Sequence, residues 1–297
     1  MMTKDEKTCL FTAEYRRALL TLAVALVVTP LSARAESRAD AGTANDPALV
    51  PLPSILDFSG GAGFGFALGA GVEYEGAYDG ADETELEVEP AGAVHYRTGD
   101  HLLFWEGVEL GWRGRLADVW LVQAGLRYED GLDPDDSDDG HLDGIESRDS
   151  HQVGFLEVRR GFGDDWRHWV AGRVMGGPSD FGVLGVLAAG HRFGQQHDGS
   201  GTEIYGFVTF GSDDFINKDF GVTAADAAGS GLPETTLSGG YRSTGLQLVH
   251  RRYLTDALHV MAEAGVEWYS GDIGDSPIAR QDQEFEVSLA LVWQFGR

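Results

Sequence analysis

From Glu284 to Phe295 the chain alternates without a break. Phe285, Val287, Leu289, Leu291, Trp293 and Phe295 take the odd positions; Glu284, Glu286, Ser288, Ala290, Val292 and Gln294 take the even ones. A period of two describes a strand whose faces meet different surroundings, because successive side chains point to opposite sides. In a water-soluble sandwich the apolar face would line a core. In a membrane barrel it would meet lipid, and about 9–11 tilted residues would cross the bilayer. The repetition of this pattern along the chain restricts the fold more than any single motif does.

Comparable segments occupy 61–76, 86–97, 101–113, 118–129, 151–161, 165–175, 181–193, 201–211, 241–254 and 257–270, eleven with the last. In the first, Phe64, Phe66, Leu68, Ala70, Val72 and Tyr74 oppose a face of glycines that ends in Glu73 and Glu75. A row of glycines suits a crowded barrel interior, where it admits neighbouring side chains. The connections "RTGD", "GRLAD", "GFGDD" and "YLTDA" are short enough for hairpins, which implies an antiparallel meander. All seven tryptophans lie within or at the ends of the segments, as interfacial girdles require. Single-chain bacterial barrels have an even strand count. The expectation is an all-β transmembrane barrel of about twelve strands, the twelfth hidden around Phe220 to Leu237, with ten strands as the alternative.

The amino terminus places the chain in the envelope. Arg16 and Arg17 precede the apolar run Ala18 to Val28, and "SARA" ends at Ala35 with an A-x-A pattern, so residues 1–35 read as a cleaved signal peptide. Residues 36–54 read as a flexible lead-in and 55–297 as the barrel. The one cysteine, Cys9, leaves with the signal, which removes disulfides, thiol nucleophiles and cysteine metal sites from the mature chain. Residues 1–35 hold five of the 22 basic and three of the 48 acidic residues, so the remainder carries 17 against 45, a formal charge of −28. That balance excludes nucleic acid as a partner class, since phosphate binding needs a basic footprint. Glycine, 42 of 297 residues, is about twice its usual share of ~7%, which disfavours a helical architecture.

The motifs that carry chemistry elsewhere are weak here. Asp135 to Glu146, "DDSDDGHLDGIE", has nearly the spacing of a calcium loop, with Asp135, Ser137, Asp139, Gly140, Asp143 and Glu146 in place. Its flanks read as strands and not as the paired helices such a loop needs, so a solvated acidic loop is the preferred reading. The run "GGAGFGFALGAG" is a glycine-lined strand face, with no G-x-G-x-x-G leading into a helix. His191, His250 and His259 are scattered, and no H-E-x-x-H or nucleophile elbow occurs. No catalytic, cofactor-binding or metal residues are assigned, and no enzymatic activity is expected. Arginines 97, 113, 127, 159, 160, 173, 192, 242, 251 and 252 fall in the strands. Either they pair with inward glutamates to plug the barrel or they set the selectivity of a pore. Ten or twelve strands lie between filled and open barrels, which favours the plug.

Four stretches, 69–80, 131–155, 220–234 and 271–295, resemble the MipA/OmpV family of MltA-interacting outer-membrane proteins. "DPDDSDD" and "DSPI" (Asp275 to Ile278) are the most specific parts. The resemblance implies an outer-membrane barrel without catalytic residues that acts as a scaffold. It would bring a lytic transglycosylase together with a bifunctional penicillin-binding protein of peptidoglycan synthesis. Other members imply adhesion or osmotic-response roles, so a small solute pore or adhesion protein is the alternative function. Membrane lipid and lipopolysaccharide complete the expected partners.

Overall fold

A computed structural model of the chain describes residues 62–295 apart from 118, 138, 164–165, 179 and 195–198. The expected signal peptide and lead-in lie outside the described residues. Twelve strands form a closed antiparallel barrel in which each pairs with its neighbours in sequence and β1 pairs with β12. They are β1 (Gly63–Gly76), β2 (Thr84–Thr98), β3 (His101–Glu106), β4 (Glu109–Ala117), β5 (Trp120–Glu129) and β6 (His151–Phe162). The second half comprises β7 (His168–Gly176), β8 (Val183–Phe193), β9 (Gly201–Gly211), β10 (Gly240–Tyr253), β11 (Leu258–Tyr269) and β12 (Gln283–Phe295). The seam runs from Phe66 opposite Phe295 to Tyr74 opposite Val287, so the alternation that ends the sequence closes the barrel.

The count of twelve arises differently from the expectation. Segment 101–113 is a hairpin: Glu106 pairs with Glu109 across Gly107 and Val108, and Gly107 has φ +53°. Glycine at the first of two central positions is what a type II′ turn requires. The stretch from Phe220 to Leu237 contributes no strand. It belongs to a β9–β10 connection that carries two short helices, α1 (Asp213–Phe220) and α2 (Ala224–Ser230), capped by Ser212 and Thr223. Alanine-rich sequence between Thr223, a capping box with Asp226, and Gly231 at φ +79° forms a helix because both ends are satisfied locally.

The outer wall is an apolar belt. Phe64, Leu68, Leu187, Phe285 and Trp293 are all about half exposed or more, an extent of bare apolar surface that only lipid can cover. Trp105, Trp120, Trp268 and Trp293 belong to this belt, but Trp166 and Trp169 are buried and depart from the girdle expectation. The glycine face of β1 serves as read: a Cβ on Gly65 would lie 2.3 Å from the inward ring of His95.

Both chain ends of the barrel sit at the edge with short connections. At the opposite edge the connections 77–83, 130–150, 212–239 and 270–282, the last with α3 (Gly271–Gly274), pack together over a small core of Tyr78, Leu132, Leu142, Ile145, Val222 and Ile278. Ion pairs stitch this cap. Arg148 meets Asp226 at 2.7 Å, Arg280 meets Asp82 at 3.2 Å and Asp139 at 3.4 Å, and Arg242 meets Asp79 and Glu267.

Candidate functional site: a charged chamber in the lumen

The barrel interior has two zones. Toward the short-turn edge it is filled by inward side chains. Arg113 Nε donates to Gln123 Oε1 at 2.8 Å, Arg159 lies over the Trp169 ring at 4.2 Å, Arg192 pairs with the buried Glu203, and the Tyr253 hydroxyl donates to Gln294 at 3.1 Å. Between this layer, whose Arg113, Gln123, Arg159, Trp169 and Glu203 also line it, and the long-loop edge lies a cavity of about 590 Å³.

Strand register decides what faces this chamber. Glu263, Glu286, Glu73 and Glu89 come from the adjacent strands β11, β12, β1 and β2. Arg113, Arg127, Arg159 and Arg173 come from β4 to β7 on the opposite wall. The chamber thus has an acidic and a basic side. On the basic side Arg127 meets Glu109 at 3.2 Å, Arg173 meets Glu109 at 2.5 Å, and Glu157 lies 3.2 Å from Arg159 and 3.8 Å from Arg173. In all, eight glutamates and four arginines line the space, so its formal net charge is negative. Arg127, Arg159 and Arg173 are engaged by carboxylates and Arg113 by Gln123, and the formal charge of the lining favours cations over the anions that arginine selectivity would admit.

The other residues singled out in the sequence are dispersed. His191 meets His168 at 3.2 Å, His250 meets Thr202 at 2.9 Å, and His259 lies at a tilt beside the Tyr253 ring, 4.9 Å between centroids. In the acidic stretch Leu142 and Ile145 are anchored in the cap core, Asp139 pairs with Arg280, and the Glu146 N–H donates to Asp226 at 2.8 Å. Among the described residues no group of three or more His, Cys, Asp or Glu is placed to hold a metal ion. Backbone and hydroxyl bonds from His141 and Ser137, with Arg280 nearby, hold the exposed Asp139 carboxyl below its ordinary range. Sequence reasoning missed the chamber because facing residues are separated by up to two hundred positions and meet only through the register.

Residues 68–295 match the family described as MltA-interacting protein MipA. The chain belongs to the MipA family. The match spans the barrel from within β1 to the end of β12, so the family is a family of this fold. Among curated proteins none matches the sequence. Among solved structures the KdgM porin is 10% identical over 77% of this chain and 99% of that one, with a TM-score of 0.38. The NanC porin is 10% identical over 76% of this chain and 98% of that one, with a TM-score of 0.40. The Ralstonia pickettii toluene transporter TbuX is 9% identical over 79% and 90%, with a TM-score of 0.38. These likenesses concern barrel shape alone.

Proposed function

We propose that this MipA-family barrel resides in the outer membrane and is a docking platform, without a catalytic role, for a murein-cleaving lytic transglycosylase. On this reading it brings that enzyme together with a murein-synthesising penicillin-binding protein. The observation that carries the proposal is the family match over nearly the whole barrel, whose description names an MltA-interacting protein. Two features of the fold support it. The short-turn half of the lumen is filled, which suits a rigid platform better than an open channel. The short turns and both barrel ends share one edge, which faces the periplasm in barrels of this class.

The test is a photoreactive residue at Asp100 or Thr255, in two of those turns, activated in intact cells. Recovery of a lytic transglycosylase covalently joined to the barrel is the expected result. Recovery of lipid, lipopolysaccharide and assembly factors alone would count against docking. The chamber favours a second reading, a binding or transit site for a small cationic solute, because eight glutamates against four arginines line it and four of those glutamates form a wall facing the arginines. Refolded barrel in planar bilayers should then show cation-selective conductance, and silence would remove transit.

A further inference from the structure

The barrel wall is low on one side. β3 ends at Glu106 and β4 begins at Glu109, while β2 runs on to Thr84 and β5 to Glu129. The last β2 residue paired with β3 is Ala93, so among the described residues 86–91 pair with β1 alone. The turn below this gap is tied down on both sides: the Gly107 N–H donates to Gly92 O at 3.0 Å and the Tyr128 N–H to Val108 O at 3.0 Å. The result is a notch two strands wide above the β3–β4 turn.

The notch opens at the level of the lipid-facing belt. Val88 is in register with Val72, which is in register with Leu289 of β12, and all three lie on the outward apolar face. A strand edge facing hydrocarbon is costly because its peptide groups have no partner there. Pro90 reduces the cost by having no N–H, and the rest of the edge requires water or a polar head beside it.

Chamber and notch are continuous. Pro90, Gly92, Gly107 and Val108 line the same cavity as Glu73 and Glu286. Glu89, inward beside the gap, is exposed, whereas Glu73 and Glu286 on the complete wall are partly buried. A Cβ on Gly92 or Gly107 would meet nothing within 4 Å. The outer lip is apolar: Leu86, Leu110 and Leu126 are each more than half exposed, and Val88 is 76% exposed. Inside, Arg127, Arg159 and Arg173 are engaged by Glu109 and Glu157 and Arg113 bonds Gln123, while Glu73, Glu89, Glu263 and Glu286 make no ion pair within 4 Å among the described residues.

We propose that the notch is a lateral portal for an alkylamine: its ammonium head enters the chamber toward the acidic wall while its chain stays against Leu86, Val88, Leu110 and Leu126. An ammonium matches carboxylates that lack arginine partners, and an apolar chain matches the lip. The head also donates hydrogen bonds to carbonyls on the open edge of β2, and water serves the N–H groups of that edge. The inference deepens the solute reading of the chamber and is independent of docking at the short turns.

The test uses the full mature chain refolded into phosphatidylcholine nanodiscs and three diazirine probes: dodecylamine, a dodecyl sulfonate of equal chain length, and propylamine. Adducts are mapped by mass spectrometry after photolysis. The dodecylamine probe should label Glu89 and its chamber neighbours several-fold more than the sulfonate. Val108→Trp, which narrows the notch, should lower chamber adducts while belt adducts stay constant. Glu73→Gln with Glu89→Gln leaves the wall intact and should bring the amine down to the sulfonate level. Belt adducts alone, equal labelling by amine and sulfonate, or chamber labelling indifferent to both sets of substitutions would overturn the portal. Propylamine separates the two ideas. If it labels the chamber and dodecylamine does not, the solute site stands and the portal falls; if neither labels, both fall.

Discussion

Asp226 is the buried centre of the cap, and its removal has a calculable consequence. Its carboxylate accepts from Arg148 Nη2 at 2.7 Å, from the Glu146 N–H at 2.8 Å, and from the Thr223 N–H and hydroxyl at 2.9 and 2.8 Å. Removing one partner of a buried charge pair costs about 3–5 kcal/mol. Arg148 keeps some solvent contact and its bonds to Glu146 O and Gly221 O, which places Asp226→Ala near the lower end, about 3 kcal/mol. At about 1.4 kcal/mol per factor of ten, local opening of α2 becomes roughly a hundredfold more frequent. Hydrogen exchange reads this directly. The Gly231 amide, bonded to Ala227 O at 3.1 Å, should exchange about a hundredfold faster in the variant, with amides of β10 to β12 unchanged. Unaltered protection at Gly231, or equal acceleration in the strands, would refute the assignment. The pH dependence follows the same carboxylate. Burial alone would raise its pKa, but the bonds from Arg148, Glu146 and Thr223 outweigh burial and hold it well below the ordinary range. A depressed folded pKa gives stability that is complete above the unfolded value of about 3.9 and is lost as pH falls toward the folded one. Protection at Gly231, corrected for intrinsic rate, should therefore decline below about pH 4 in the parent chain and not in Asp226→Ala.

Two further outcomes are expected. In a Cys9→Ser background, a cysteine at Ser147 in the long-loop cap should react with a membrane-impermeant maleimide in intact cells, and one at Asp256 in a short turn should not; the reverse pattern would invert the barrel. Arg192→Met strands the fully buried Glu203 and should lower the unfolding free energy in urea by about 3–5 kcal/mol, most of which Arg192→Met with Glu203→Gln should restore; equal losses in both would show that packing, and not charge, is at stake.

The fold was legible wherever one face of a strand meets lipid. The period of two at 284–295 and at 63–76 marks the two strands that close the barrel. It faltered where two rules overlap. In 101–113 the outward apolar positions shift from odd, Leu103 and Trp105, to even, Leu110 and Trp112, and that shift is the trace of the Gly107 turn. Between Phe220 and Leu237 the spacing of Thr223 and Asp226 is a helix signal that the expectation of a twelfth strand there leaves unused. The acidic loop was recognisable as acidic, but its buried Leu142 and Ile145 and its tie to Asp226 depend on contacts across loops far apart in sequence. The chamber was not legible at all. Which arginine faces which glutamate depends on the register of twelve pairings, and the notch depends on β3 and β4 being shorter than their neighbours.

The most direct test of docking is binding of a purified lytic transglycosylase domain to the full barrel held in nanodiscs, measured with either face accessible. Saturable binding to the short-turn face, unchanged by deleting Asp133 to Glu146 from the long-loop cap, is the predicted result. Absence of binding, or binding abolished by that deletion, would contradict the account.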